Sequence, residues 1–269
     1  MSEQLIEHVV DGVATLTMNR PEARNALTGE MQAALSEAIP RLGSDPSVRA
    51  VVITGAGRAF CAGGDVKGFA RAAESGASSN AGFSLEQRAF GLRQSADICR
   101  WLHEMPKPTL AVIPGPAAGA GLSIALACDL RIAADDAKLT TAFSKVGLSG
   151  DYGGSYFLAH LVGAAKAREL YFTAEVITGR EAAALGIVNK AVAFDELEAL
   201  AGDYARQLAG LPTIAIGYMK RNLNAAETGS LSEVLDLEST HMVRTQMTDD
   251  HKGASIAFVQ KAKPVFQGR

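Results

Sequence analysis

Residues 109–128 (TLAVIPGPAAGAGLSIALAC) run for 20 positions without a charged side chain, and no other stretch constrains the fold as strongly. Twenty uncharged residues suffice to cross a bilayer as one helix. Here, however, Pro114, Gly115, Pro116, Gly119 and Gly121 interrupt the run. Such punctuation breaks a continuous helix. The pattern predicts a buried strand over 109–113, a tight turn, and a helix over 121–128, all packed inside protein.

Burying such a strand takes a chain long enough to cover it. The chain has 269 residues, 48% of them hydrophobic and 20% charged, and a chain of that size can bury about three quarters of its unfolded surface. Residues 48–54 (VRAVVIT) form a second nearly continuous apolar run, the mark of a strand covered on both faces. Residues 5–10 and 13–18 flank Asp11-Gly12, a hairpin signal. Residues 130–134 and 188–192 read as further strands. Met31, Ala34, Leu35, Ala38 and Ile39 recur at helical spacing behind Thr28, an N-cap, and Pro40 is expected to end or kink that helix. Ser84-Leu85-Glu86-Gln87 is a capping box opening a helix to about His103. Residues 74–82 (ESGASSNAG) form a polar loop, and the chain is mostly helical from Gly154. Strands alternating with helices predict an α/β core, residues 1–195, followed by a helical C-terminal part, residues 196–269.

The charge balance narrows the function. Against 29 acidic residues stand 26 Lys and Arg, a net charge of −3, which argues against a nucleic-acid partner. The N-terminus MSEQLIEHVVDG lacks the basic region and apolar run of a signal peptide, so no membrane partner and a cytoplasmic location are expected. Cys61, Cys99 and Cys128 are widely spaced, as in a reducing compartment and unlike a disulfide framework or zinc site. The five histidines show no metal spacing, and no metal or cofactor is expected. Residues 55–60 (GAGRAF) fail as a dinucleotide fingerprint at Phe60. Residues 121–125 (GLSIA) approach a nucleophile elbow but end in Ala. A serine hydrolase using Ser123 with Asp151 and His241 or His251 is therefore one alternative.

Two glycine-rich turns each follow a buried strand: residues 59–66 (AFCAGGDV) and 114–121 (PGPAAGAG). Small residues let a ligand approach the backbone. The second turn runs into a helix, whose first N–H groups lack intrahelical partners and favour negative charge. Such turns either serve tight packing or aim a pair of backbone donors at one oxygen, an oxyanion hole for a thioester enolate.

Several ordered blocks resemble the enoyl-CoA hydratase/isomerase, or crotonase, family. They are residues 18–27 (MNRPEARNAL), 59–66, 114–139, 185–189 (LGIVN) and 257–261 (AFVQK), spread over essentially the whole chain. The resemblance implies a spiral of ββα units with a C-terminal helical part that assembles homotrimers, often paired as hexamers, and an acyl-CoA thioester as substrate. The oxyanion donors would be the N–H groups of Gly64 and Ala120. Arg24, Ala62 and Asp65 would line the CoA channel, and Phe258 and Lys261 would hold the adenine nucleotide end, commonly across a subunit boundary.

The chain also departs from the pattern. The two glutamates that handle water in the family's hydratases fall on Ser123 and Phe143, neither of which can act as a general base. Asp151, in residues 147–154 (GLSGDYGG), falls where isomerase branches carry an active-site aspartate. Its other reading is a cap for the following helix. The sequence thus points to an enoyl-CoA isomerase using Asp151 for proton transfer. The alternatives are a hydratase without the glutamate pair, the Ser123 hydrolase, and a non-catalytic CoA-binding protein.

Overall fold

Asp11 and Gly12 both adopt positive φ, 50° and 78°, the requirement of a type I′ turn. The turn sets β1 (Leu5–Val10) antiparallel to β2 (Val13–Met18), with Val10 opposite Val13. The structure is a computed structural model that describes residues 2–64 and 82–269. From β2 the sheet continues in parallel through β3 (Ala50–Gly55), β4 (Thr109–Ile113), β6 (Leu130–Ala134) and β9 (Lys190–Val192). Every residue of β4 is buried, and so is every residue of β3 but Thr54, because both faces of this part of the sheet are covered. A second, smaller sheet joins β5 (Ala117–Ala118), β7 (Lys138–Thr140) and β8 (Ile177–Thr178).

Helix α1 (Gly29–Ser44) starts where Thr28 Oγ1 accepts from Met31 N, and it buries Met31, Leu35, Ala38, Ile39 and Leu42. Of the two expected effects, ending or kinking the helix, Pro40 does not produce the first: the helix runs four residues further. Proline forfeits one backbone bond, but Ile39 and Leu42 on either side are fully buried, and burial of two such side chains contributes about 3–6 kcal/mol. The Ser84 capping box forms as read, yet its helix divides at Ala96 into α2 (Leu85–Ser95) and α3 (Asp97–Glu104). The reason is packing: α2 buries none of its residues, whereas α3 buries Ile98, Cys99 and Leu102.

The uncharged run resolves into β4, the turn, β5 and the fully buried helix α4 (Ala120–Ala127). No helix among the described residues is long and apolar enough to cross a membrane. Beyond it come α5 (Gly154–Thr173), α6 (Gly179–Ala184), α7 (Phe194–Ala209), α8 (Thr213–Ala226), α9 (Leu231–Gln246) and α10 (Asp249–Val259). Helix α7 lies against β2, β3, β4 and β6, while α9 packs on α8 and α10 on α9.

One buried cation ties α8 to the core. Lys220, 6% exposed, donates to Leu102 O at 2.7 Å and to Asp129 Oδ2 at 2.9 Å. Asp129 also accepts from Thr109 N and Oγ1, at 2.7 and 2.9 Å, at the start of β4. Lys220→Ala leaves this carboxylate without its cation, and a loss of about 3 kcal/mol in unfolding free energy is expected. Chemical denaturation of the variant checks this.

Candidate active site

The first glycine turn is clamped from two sides. Asn25, fully buried, donates from Nδ2 to the carbonyls of Ala56 and Ala59 at 3.0 and 2.8 Å, while its Oδ1 accepts from Arg20 N. Ala62 N donates to Arg24 O at 2.9 Å and Leu27 N to Gly63 O at 2.8 Å. Arg24 and Ala62, both expected at the CoA channel, are thus joined by a backbone hydrogen bond. Asp65 lies outside the described residues. Asn25 was not singled out as a functional residue in the sequence, although it sits inside the 18–27 block.

The second turn is locked onto the first. Phe60 N and Cys61 N both donate to Pro116 O, and Ala118 N donates to Cys61 O at 2.9 Å. Close approach demands glycine at two places. A Cβ on Gly63 would stand 2.7 Å from Ala118 O, and one on Gly121 would stand 2.3 Å from Cys61 O. That same Gly63 position is only 3.4 Å from Ala120 N, so the Ala120 N–H opens beside the Gly63-Gly64 peptide. Neither Gly64 N nor Ala120 N has a backbone acceptor among the described residues. Gly119, at φ 52°, starts α4 without a side-chain cap, which leaves the first N–H groups of this helix open. At its other end, buried Arg131 donates to Leu126 O and Cys128 O, a cation against the negative end of the helix dipole.

Asp151 stands on a turn in which Gly147, Gly150, Tyr152 and Gly153 all have positive φ. The residue that caps α5 is Gly153, and no side chain caps that helix; the Asp151 carboxylate is therefore not a cap. Among the described residues, Asp151 Oδ1 and the Tyr152 hydroxyl are buried without a hydrogen-bond partner. Burial pushes the Asp151 carboxyl above the usual aspartate range. Phe143 stacks on Tyr171, with ring centroids 6.0 Å apart. Its ring edge lies 3.5 Å from where a Gly119 Cβ would be and 3.7 Å from where a Gly150 Cβ would be. Phe143 thus spans the second glycine turn and the Asp151 turn. The Tyr171 phenol is pushed up to about 12, by burial and then by the Asp151 charge. Cys99 on α3 also feels that charge. Phe143 and Tyr171 thus put aromatic surface between the second glycine turn and the Asp151 turn, and a carboxylate raised by burial is, once deprotonated, a stronger base than it is in water.

The other candidate residues divide. Ser123 is buried, and its hydroxyl donates to Gly119 O at 3.3 Å. His241 Nδ1 is paired with Asn222 Oδ1 between α8 and α9, with its ring on Tyr218, and His251 is exposed on α10. The Ser–His constellation is not assembled within the chain. Phe258, 85% exposed, lies at the end of α10, and Lys261 follows just beyond it. Tyr171, whose phenol feels the Asp151 charge, was missed in the sequence, and Tyr152 was read there only as a neighbour burying Asp151. Tyrosine in a turn or helix carries no spacing signal, and only the folded chain shows which way its hydroxyl points.

The chain and its fold have clear counterparts in known proteins. Residues 8–269 match the sequence profile of the enoyl-CoA hydratase/isomerase family, and the chain belongs to that family. It is 36% identical over its full length, and over all of the relative, to 1,2-epoxyphenylacetyl-CoA isomerase of Escherichia coli K12. It is also 36% identical over 239 residues, 89% of the chain and 82% of the relative, to 4-chlorobenzoyl coenzyme A dehalogenase-1 of an Arthrobacter species. The crystal structure of an enoyl-CoA hydratase from Polaromonas sp. JS666 superposes with a TM-score of 0.88 at 34% identity, covering 97% of this chain and 99% of that one. The fold is the crotonase fold, a mixed α/β body with a helical C-terminal part.

Proposed function

We propose that the chain is an enoyl-CoA isomerase that moves a double bond by proton transfer at Asp151. The observation that carries this reading is the Asp151 carboxylate, whose Oδ1 is buried without a partner among the described residues, on a turn that Phe143 joins to the second glycine turn with its open backbone donors. The thioester carbonyl sits between Gly64 N–H and Ala120 N–H. Asp151 takes a proton from carbon, and the electron pair left behind is delocalised onto the thioester oxygen. The two amides stabilise that enolate because they are aimed before charge develops. Asp151 then returns the proton to a different carbon of the same conjugated system. Hydration is disfavoured because Ser123 and Phe143 occupy the positions from which two carboxylates would handle water. Incubation with 2- and 3-enoyl-CoAs, followed by mass spectrometry and product separation, tests this: an isomer of unchanged mass is expected, and a gain of one water or free CoA contradicts it.

Arg24, Ala62 and Asp65 line the entry for CoA in this reading, and Phe258 and Lys261 from a neighbouring copy meet its nucleotide end. A homotrimer supplies that copy. Support comes from α9, where Leu231, Leu235 and Met242 are 76%, 50% and 62% exposed, an apolar stripe larger than a free surface helix carries. Light scattering at micromolar concentration is expected to give three or six times the chain mass, and a monomer contradicts the assembly.

A further inference from the structure

Helix α10 ends in a way that singles out Lys261. Ala262 N donates to Ala257 O at 2.9 Å and Lys261 N donates to Phe258 O at 3.1 Å, the paired bonds of a Schellman motif. The motif needs one left-handed residue, most often glycine. Lys261 takes that place at φ 55°, a conformation uncommon outside glycine and of the kind that gathers at functional positions.

The reversal sends residues 262–268 back to the first turn of the same helix. There Asp250, 5% exposed, accepts from Gln267 N at 2.6 Å through Oδ1 and from Gly268 N at 2.8 Å through Oδ2. Gly268 has φ 77°, which glycine adopts without strain. Asp250 N in turn donates to Arg269 O at 3.0 Å. The core grips the same segment. Arg49, just before β3, donates to Phe266 O at 2.8 Å, to Leu211 O at 2.6 Å and to Thr213 Oγ1 at 3.0 Å.

These contacts matter because α10 has little else to place it. Packing fixes most helices in proteins. Helix α10 rests on α9, yet Asp250 is the one residue it buries among the described residues, and Ile256, Phe258 and Val259 stand exposed. The far end of this helix carries Phe258 and Lys261, read above as meeting the nucleotide end of CoA in a neighbouring copy.

We propose that residues 262–268 act as a strap and that Asp250, by gripping it, is a positioning residue: together they hold α10 in the orientation that presents Phe258 and Lys261 to the CoA nucleotide. This rests on the reading of those two residues as nucleotide contacts. Without the grip, the helix end has to be ordered anew at each binding event, which lowers affinity. The pantetheine arm, which those two residues do not contact in this reading, is unaffected.

The test is calorimetric binding of coenzyme A and of 4′-phosphopantetheine, which lacks the nucleotide, to the full chain and its variants. Asp250→Ala removes the grip. Deletion of residues 263–269 removes the strap and leaves the Schellman motif. The double substitution Phe258→Ala with Lys261→Ala removes the contacts themselves. In Asp250→Ala and in the deletion, CoA is expected to bind about tenfold more weakly and 4′-phosphopantetheine within about twofold of the parent chain. Asp250→Ala combined with the deletion should cost no more than the deletion alone, since both break one interaction. Equal weakening of the two ligands overturns the proposal. So does unchanged CoA binding in Asp250→Ala and in the deletion while the double substitution weakens it, a result that leaves the nucleotide reading standing. Unchanged CoA binding in the double substitution overturns both.

Discussion

Asp151→Asn is expected to slow turnover by about 10²- to 10⁴-fold while acyl-CoA affinity stays within a few-fold. Asparagine keeps the size of the side chain and removes the proposed base, and in this proposal the thioester is held elsewhere, by Gly64 and Ala120. Stability should move the other way. Burial raises the Asp151 pKa, so the folded chain holds this proton more tightly than the unfolded chain does. The associated stability is present below the unfolded aspartate value and is lost as pH rises through the raised folded one. At neutral pH the buried charge is a cost, which asparagine never incurs. The melting temperature of Asp151→Asn at pH 7 should therefore equal or exceed that of the parent chain, and the difference should shrink toward acid pH. The same shift predicts that kcat/KM rises with pH through an apparent pKa above that of a free aspartate. A residue that merely capped α5 would show none of this.

Ala120→Pro is expected to lower kcat by about 10²- to 10³-fold, the usual consequence of removing one oxyanion donor. Two local features make the variant foldable. Ala120 is the first residue of α4, the helical position that favours proline and has no intrahelical acceptor for its N–H. Gly119 before it adopts φ 52° and ψ −127°, a mirror-image extended conformation that glycine reaches freely. Ala120→Gly keeps the N–H and is expected to retain most activity. Equal losses in both variants would mean that the Cβ, not the donor, matters.

Much of this was legible in the sequence, for identifiable reasons. The uncharged run announced β4, the turn and α4, because prolines and glycines forbid the one-helix alternative. The Asp11-Gly12 hairpin and the Ser84 capping box are local devices that short-range chemistry decides. The division at Ala96 was not legible, because it depends on which half of the segment finds a core to pack against. Pro40 does not stop α1, because local propensity yields to the burial of Ile39 and Leu42. At the site, the glycine turns could be read in the sequence, and the block at 147–154 pointed to Asp151. The structure adds the mutual clamp through Pro116 and Cys61 and shows that Asp151 leaves its helix uncapped. Tyr152 was legible as a neighbour of Asp151 but its buried, unpaired hydroxyl was not, because hydrogen-bond partners are settled only by the folded chain.

Deuterium uptake tests the central claim most directly. Phenylacetyl-CoA has acidic hydrogens beside the thioester carbonyl and no double bond to shift along its side chain, so enolate formation shows only as exchange with solvent. Incubated with the protein in D₂O, it is expected to gain deuterium at that carbon over repeated cycles, as the Asp151 carboxyl exchanges its proton with solvent. With Asp151→Asn the gain should fall to the protein-free rate. Uptake by the parent chain no faster than in buffer, or equally fast uptake with Asp151→Asn, would contradict the account.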